Sequence, residues 1–426
     1  MKNLKSVLKS IFREKDIRRR VFFAIGVITI FRFLAHLPLP GVDAAALKRL
    51  FASNALLGLL NVFSGGGMEN FSVVSLGLNP YINASIVLQV LTFGFPRLKE
   101  LSQEGEYGRT RINQYTRLLA VPLALFQGYG LYFLLSKQGV VATLSFLPLI
   151  GLVMSLAAGS FLLLWLGELL TERGIGNGIS VLIFAGIVAG YPLSLGRTLA
   201  VSSTEKLGGL ILFFAMAVAL VAGVVVVNEA ARKIRIEYAL RGGGGRSYGR
   251  QSHLPLRLNQ AGVVPIFFAT SLILLPPTFA RYFVDLANPL VSRLASGILA
   301  LFNTQGAFYT GLYFLMVVLF SFFYTAVMFN TEDIAENLQK RGAFIPGVRP
   351  GKATVAYLNR VLTRITFSGA IFLGLVAVLP SLASGATGVT TFTLGGAGIL
   401  IIVSVILETL RQIEAHLVTR DYEGYL

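Results

Sequence analysis

Apolar residues recur along the chain in windows of about 20 separated by short polar stretches, the length a helix needs to cross a bilayer. Ten windows are predicted, near 21–37, 74–95, 118–136, 146–168, 178–195, 207–228, 259–279, 309–329, 364–380 and 393–411. The fold class expected is an all-α polytopic membrane protein. Ten crossings divide into two sets of five, and an odd number of crossings makes the second set enter the membrane from the opposite side. That is the inverted-repeat arrangement. A weak internal echo accompanies it: PYINASIVL from Pro80 and PIFFATSLI from Pro265 share Pro, then Ala four later, then Ser or Thr.

The second window breaks its own pattern. LLNVFSGGGMENFSVVSLGLNPYINASIVLQVL begins and ends apolar, yet its middle carries a triple glycine, polar residues and Asn-Pro. Asn79 suits an N-cap and Pro80 the first helical position, so a helix is predicted to restart there and run to about Gly94. It would span only about 22 Å against a hydrocarbon core of roughly 30 Å. Two readings of the preceding piece stand: a re-entrant segment shielded by protein or lining a cavity, or an external loop packed on the surface. The fifth window opens with ERGIGNGISVLIFAGIVAG, whose glycines at 174, 176, 178, 186 and 190 permit close helix approach.

Composition agrees with a membrane chain: 54% of the 426 residues are hydrophobic and 13% charged, against about 25% charged in soluble domains. Its net charge of +17 is unevenly placed. Of the 37 Lys and Arg, 29 fall on the side of the termini, counting Arg364 and Arg411 at span edges, while 7 fall opposite and Arg32 lies within the first span. Positive loops stay in the cytoplasm, so both termini are expected there, in a multi-pass protein of the cytoplasmic (inner) membrane. The basic, amphipathic first 20 residues lack a small-residue cleavage site and read as a cytoplasmic surface helix, not a signal peptide.

Several chemistries find no footing. The chain has no cysteine, and His36, His253 and His416 read as noncatalytic. A coupled transporter normally places ionisable groups near mid-membrane, but Glu168, Glu229 and Glu408 lie toward span ends and Arg32 is the main exception. No set for intramembrane proteolysis is visible. Two cytoplasmic loops, about 229–258 and 330–363, are long and basic. The second frames Arg349 between Pro and Gly, which suits a docking element for an anionic partner.

The residues just described resemble the SecY family of protein-translocation channels. The resembling motifs are FRFLAHLPLPGVD, NVFSGGG, NPYINASIVLQ, WLGELLTERGIGNGIS, QSHLPLRLN followed by AGVVP, and GAFIPGVRPGKAT, in family order and covering nearly the whole chain. The resemblance implies two inverted halves of five helices around a central hourglass pore, closed by a hydrophobic ring and a short plug helix. It implies a segment 1–20, an N-terminal half 21–195 with the plug at about 56–67, a C-terminal half 196–411 and a tail 412–426.

By motif match the ring is Leu78, Ile82, Ile179, Ile183, Phe267 and Ile401, of which 78/82 and 179/183 are i, i+4 pairs sharing a helix face. Phe267 departs from the aliphatic residue expected there. The plug holds Leu57, Leu60, Asn61, Phe63, Ser64, Gly65 and Gly66. The lateral gate between the second and seventh helices holds Asn83, Gln89, Thr270, Ser271 and Leu275. Arg246 and Arg349 occupy docking positions for the ribosome or the SecA motor ATPase, although Gly245-Arg246 stands where the family has two adjacent basic residues.

The implied activity is passive conduction of unfolded secretory polypeptides, with sideways release of transmembrane segments into the lipid bilayer. No catalytic residue and no cofactor is implied. SecE and SecG are the implied membrane partners, SecA and the ribosome the energy sources, and signal peptides with unfolded secretory or membrane proteins the substrates. The alternatives are an inverted-repeat secondary transporter, marked by an ionisable group at the midplane, and a membrane enzyme, marked by a catalytic set.

Overall fold

A computed structural model describes residues 15–40, 42–53, 61, 64–201, 207–238, 251–284, 288–303, 306–387 and 396–423. These residues are mostly helical. In chain order the elements are α1 (Lys15–Ala35), α2 (Ala44–Ser53), α3 (Asn79–Gly94), α4 (Pro96–Gln103), α5 (Glu106–Lys137), α6 (Phe146–Arg173) and α7 (Gly178–Val201). There follow α8 (Leu207–Glu229), β1 (Ala231–Tyr238), β2 (Gln251–Arg257), α9 (Val264–Phe283), α10 (Pro289–Leu301) and α11 (Ala307–Met328). The last are α12 (Thr331–Lys340), β3 (Ala343–Phe344), α13 (Lys352–Thr387) and α14 (Gly396–Glu423).

Among the described residues six helices are long and apolar enough to cross a membrane: α5, α6, α8 from Ile211, α11 continuing into α12, α13 and α14. Such helices invert the soluble pattern, with Leu118, Phe126, Val218 and Val226 exposed on their outer faces. The chain is a multi-pass membrane protein. The shorter apolar helices include the first parts of α7 and α9 and the whole of α10. Each of the ten predicted windows overlies a helix, but α3 begins five residues later than its window and α13 begins twelve residues earlier.

The chain divides into two compact units, Met1–Ser202 with Ile401–Leu426, and Ser203–Leu400. In the first, α3 packs on α5, α5 on α6, α6 on α7, and α1 on α6 and α7. A core of Leu47, Phe51, Phe71, Leu131, Leu135 and Leu156 lies beneath the segment that joins α2 to α3. An ion pair of 2.6 Å between Arg117 and Glu168 ties α5 to α6.

In the second unit the described parts of the two basic loops form one body. β1 pairs antiparallel with β2, placing Ile234 opposite Leu254 and Arg235 opposite His253. It also pairs with β3, placing Glu237 opposite Phe344 and Tyr238 opposite Ala343, so the sheet order is β2-β1-β3. Period-two alternation decides the faces: Ile234, Ile236 and Leu256 are buried, while Lys233, Arg235, His253 and Arg257 are exposed. The buried face packs with Ile345, Leu358, Val361 and Ile365 into a small core. α12 enters beside it, its first turn capped by the Asn330 side chain, which accepts from the amides of Glu332 and Asp333.

This core holds the second basic loop in shape. Truncating Leu358, fully buried within it, is expected to destabilise it by about 2–5 kcal/mol. The Leu358→Ala protein is therefore predicted to insert normally yet be cut faster by trypsin after Arg341 and Lys352, the exposed sites that flank the loop tip, than the parent. Equal cutting rates would show that the sheet does not hold the loop.

Candidate functional site

The broken span is folded as a run of turns from Ser64 to Leu78. A strand-like return would need a ladder, and the segment makes one isolated antiparallel bridge, Ser72 with Pro38. Most of its polar side chains are satisfied locally, the exception being the buried Ser72 Oγ, which has no hydrogen-bond partner among the described residues. The Asn61 side chain donates to the Glu69 carboxylate at 3.0 Å and accepts from the Glu69 amide at 2.9 Å. Ser64 Oγ donates to the Asn61 carbonyl at 3.0 Å and accepts from the Met68 amide at 3.0 Å. Ser75 Oγ donates to the carbonyls of Gly67 and Ser72 at 2.9 and 2.6 Å.

Two contacts with other helices hold the glycine turn. Arg32 of α1 donates from Nη1 to the Gly65 carbonyl at 2.7 Å. Gly65, at φ +68°, lies so close to α7 that a Cβ on it would stand 3.0 Å from Gly186 Cα and 2.6 Å from the Phe31 ring. Only glycine at both 65 and 186 permits this approach. Phe71, at φ +43° and fully buried, is the one non-glycine residue in the left-handed region among those described. That conformation costs about 1–2 kcal/mol, offset by burial of its ring among Leu47, Phe51 and Leu135.

At the restart of the helix the cap differs from expectation. Leu78, not Asn79, is the cap residue of α3, and no side-chain hydrogen bond caps it. The cause is the preceding turn: the Asn79 amide already donates to Leu76 at 3.3 Å, and Ile82 donates to Leu78 at 3.0 Å. Pro80 falls in the first turn, where its missing amide proton costs nothing. α3 has 16 residues, about 24 Å at 1.5 Å per residue.

Of the ring candidates, Leu78 is buried and Ile82 half-buried, one helical turn apart. Ile179 and Ile183 are half-buried on α7, and Ile401 is buried on α14. Phe267 is half-buried on α9 in the other unit. Ala84 of α3 and Ala269 of α9, the alanines of the internal echo, are both fully buried.

Of the plug candidates, Asn61, Ser64, Gly65 and Gly66 belong to the turns described above, while Leu57, Leu60 and Phe63 lie outside the described residues. Among the gate candidates, Asn83 and Gln89 are half-buried on α3, and Gln89 donates to Ser85 Oγ at 3.1 Å. Thr270 donates to the Ile266 carbonyl at 2.7 Å and lies 2.9 Å from the Tyr313 hydroxyl of α11, so it faces into its own unit. Ser271 is exposed. The side chain of Leu275 lies outside the described residues.

Arg246 also lies outside them. Arg349 is exposed between Gly347 and Gly351, at φ +80° and +97°, and its carbonyl accepts from Thr354 Oγ1 at 3.0 Å. The Val348 amide donates to Ile345 at 3.0 Å, and Ile345 is anchored in the core beneath the sheet. The tip is thus rigid behind an exposed guanidinium.

The turn between α6 and α7 collects partners that the sequence did not reveal. Arg20 of α1 donates to the Gly174 carbonyl at 3.2 Å, and Gln412 Oε1 of α14 accepts from the Gly176 amide at 2.9 Å. Thr171 Oγ1 accepts from the Gly178 amide at 2.8 Å, where α7 begins against the Gly167 carbonyl. Three helices therefore set the start of α7, one residue before Ile179. Polar residues near the ends of apolar windows were the only signal for Arg20 and Gln412. Arg32 was visible as an intramembrane charge, without its partner. Among the described residues no cluster of His, Asp or Glu is arranged to hold a metal ion.

Comparison with known proteins bears on the whole arrangement. The SecY family profile matches residues 72–410. The chain is 41% identical over 435 residues to the protein translocase subunit SecY of Streptomyces scabiei, covering 97% of this chain and 98% of that one. It is 39% identical over 433 residues to the protein translocase subunit SecY of Aquifex aeolicus, covering 98% and 99%.

Among solved structures it resembles a SecY protein whose plug domain stabilizes the closed state of the translocation channel and maintains a membrane seal. There the TM-score is 0.63 at 17% identity, over 95% of this chain and 94% of that one. It also resembles Sec61 in the canine ribosome-channel complex from the endoplasmic reticulum, with a TM-score of 0.62 at 17% identity over 98% of both chains. With the family profile spanning most of its length and relatives near 40% identity end to end, the chain belongs to the SecY family.

Proposed function

We propose that this chain is a protein-conducting channel that passes unfolded secretory polypeptides across the cytoplasmic membrane and releases transmembrane segments sideways into lipid. Membership of the SecY family over nearly the full length carries this reading. The chain crosses the membrane ten times in two inverted halves, 21–195 and 196–411, with both termini, the segment 1–20 and the tail 412–426 in the cytoplasm. The 29 to 7 distribution of Lys and Arg supports that orientation. It carries out no catalysis. SecE and SecG complete the membrane complex, and SecA or the ribosome supplies the energy.

The pore is closed by Leu78, Ile82, Ile179, Ile183, Phe267 and Ile401, whose apolar side chains exclude water and yield around a passing chain without specific hydrogen bonds. The plug is the segment at about 56–67, and its last residues, Ser64–Gly67, are the neck. The bond from Arg32 to the Gly65 carbonyl supports a closed neck, because a charge-assisted bond to a part-buried carbonyl is worth about 1.5–3 kcal/mol. The same bond disfavours the transporter alternative, since the one charge within the first span is already engaged by the protein. Asn83, Gln89, Thr270, Ser271 and Leu275 belong to the lateral gate, Thr270 from behind through its contact with Tyr313, and scattered polar groups there give a weak and reversible seal. Arg246 and Arg349 dock the ribosome or SecA, a role supported by the exposed, rigidly framed guanidinium of Arg349.

Replacing Ile82 and Ile183 together by Gly is expected to raise the resting ion conductance in planar bilayers, and unchanged conductance would count against the ring. Arg32→Ala is expected to speed hydrogen exchange of the amides from Ser64 to Met68 by about ten-fold or more, as loss of the Gly65 bond implies. Arg32→Lys should fall between the two; identical protection in all three proteins removes the neck role. Arg349→Glu should cut SecA-driven export into inverted vesicles several-fold with normal insertion, and undiminished export would refute docking through this residue.

A further inference from the structure

α10 connects α9 to α11, and its 13 residues are sorted more finely than a connection requires. At 100° per residue they form three sectors of about equal width. Val291, Ser292, Ala295 and Leu299 are buried or half-buried, and Ser292 Oγ donates to the Val284 carbonyl at 2.7 Å, which pins this sector to the protein. Arg293 and Ser296 are exposed and make a polar sector. The third sector is Leu290, Leu294, Ile298 and Leu301, an i, i+4, i+8, i+11 stripe, and Leu290 and Leu294 are each 71% exposed.

A connection standing in water gains nothing from such a stripe, and an ordinary surface helix turns its apolar sector onto the protein. Here the protein-facing sector and the apolar sector are separate. That is the pattern of a helix with protein on one side, lipid on a second and water on the third.

The neighbouring residues continue the apolar surface. Phe283 at the end of α9 and Phe308 at the start of α11 are both exposed. The Phe302 ring, just past α10, meets Phe308 edge-on at 6.0 Å, holding the end of α10 at the first turn of α11. Since α11 is among the helices able to cross the membrane, α10 lies at the level where lipid begins. Arg293, on the polar side next to Leu290 and Leu294, suits the phosphates of anionic lipid.

We propose that α10 is an interfacial helix whose leucine stripe is seated in the headgroup and acyl boundary of the bilayer, with Arg293 among the phosphates. It packs on α9, so the bilayer surface holds the helix that carries Thr270 and Ser271 through a strut of this chain. The inference depends on membrane embedding and stands apart from the assignment of ring, plug or gate.

The chain has no cysteine, so single substitutions label one site each. Leu294→Cys and Ser296→Cys, with Phe126→Cys on the outer face of α5 as a lipid-facing reference, are spin-labelled in the full-length protein. The proteins are reconstituted into vesicles of phosphatidylethanolamine and phosphatidylglycerol. A label at 294 is expected to collide several-fold more with oxygen than with a water-soluble nickel chelate, as at 126, and a label at 296 to show the reverse. Nickel contact at 294 equal to that at 296 puts the stripe in water and overturns the proposal. A label at 294 shielded from both reagents overturns it in favour of a protein cover. Leu290→Cys repeats the measurement should Leu294→Cys fail to reconstitute.

Discussion

Peptide groups at membrane depth have no water to bond, and every departure from helix there must be answered from within the protein. The segment from Ser64 to Leu78 answers its own backbone with a compact set of turns, supported by Ser64, Ser75 and Asn61, and with one charge from α1 on the Gly65 carbonyl. Much of the first unit follows from it. α1 must present Phe31 and Arg32 to the neck, and α7 must present Gly186 rather than a side chain. Phe71 accepts a left-handed backbone to bury its ring beneath the turns.

The start of α7 is also held by side chains from other helices. There the amides of Gly176 and Gly178 find Gln412 and Thr171, and the Gly174 carbonyl finds Arg20. Side chains from α1, α6 and α14 thereby set where α7 starts, and with it the height of Ile179 and Ile183. Hydrogen bonds at helix ends thus set where α7 starts along its neighbours, while the apolar helix faces supply packing.

Outside the bilayer a soluble kind of order takes over. Two basic loops become one three-stranded sheet over a core of Ile234, Leu256, Ile345 and Leu358. The alternation in ARKIRIEY suits a strand, but its Arg and Lys suit a positive cytoplasmic loop equally well. Pairing with two residues beyond Gly342 carries no periodic signal. α10 gives the opposite lesson: its i, i+4 leucines are plain in sequence, and only the packing of Ala295 separates the lipid-facing sector from the protein-facing one.

The sequence by itself determined the membrane class, the positions of the helical windows, the break before Pro80 and the family motifs, because apolar run length, proline and glycine act over a few residues. It did not determine that Leu78 rather than Asn79 caps α3, that Thr270 turns toward Tyr313, or that Arg32 holds Gly65. Those were decided only by tertiary structure. The cap depends on how the turns before α3 close, and the other two on which backbone carbonyl or hydroxyl a distant segment brings within 3 Å; hydrogen-bond geometry between segments leaves no period in the chain.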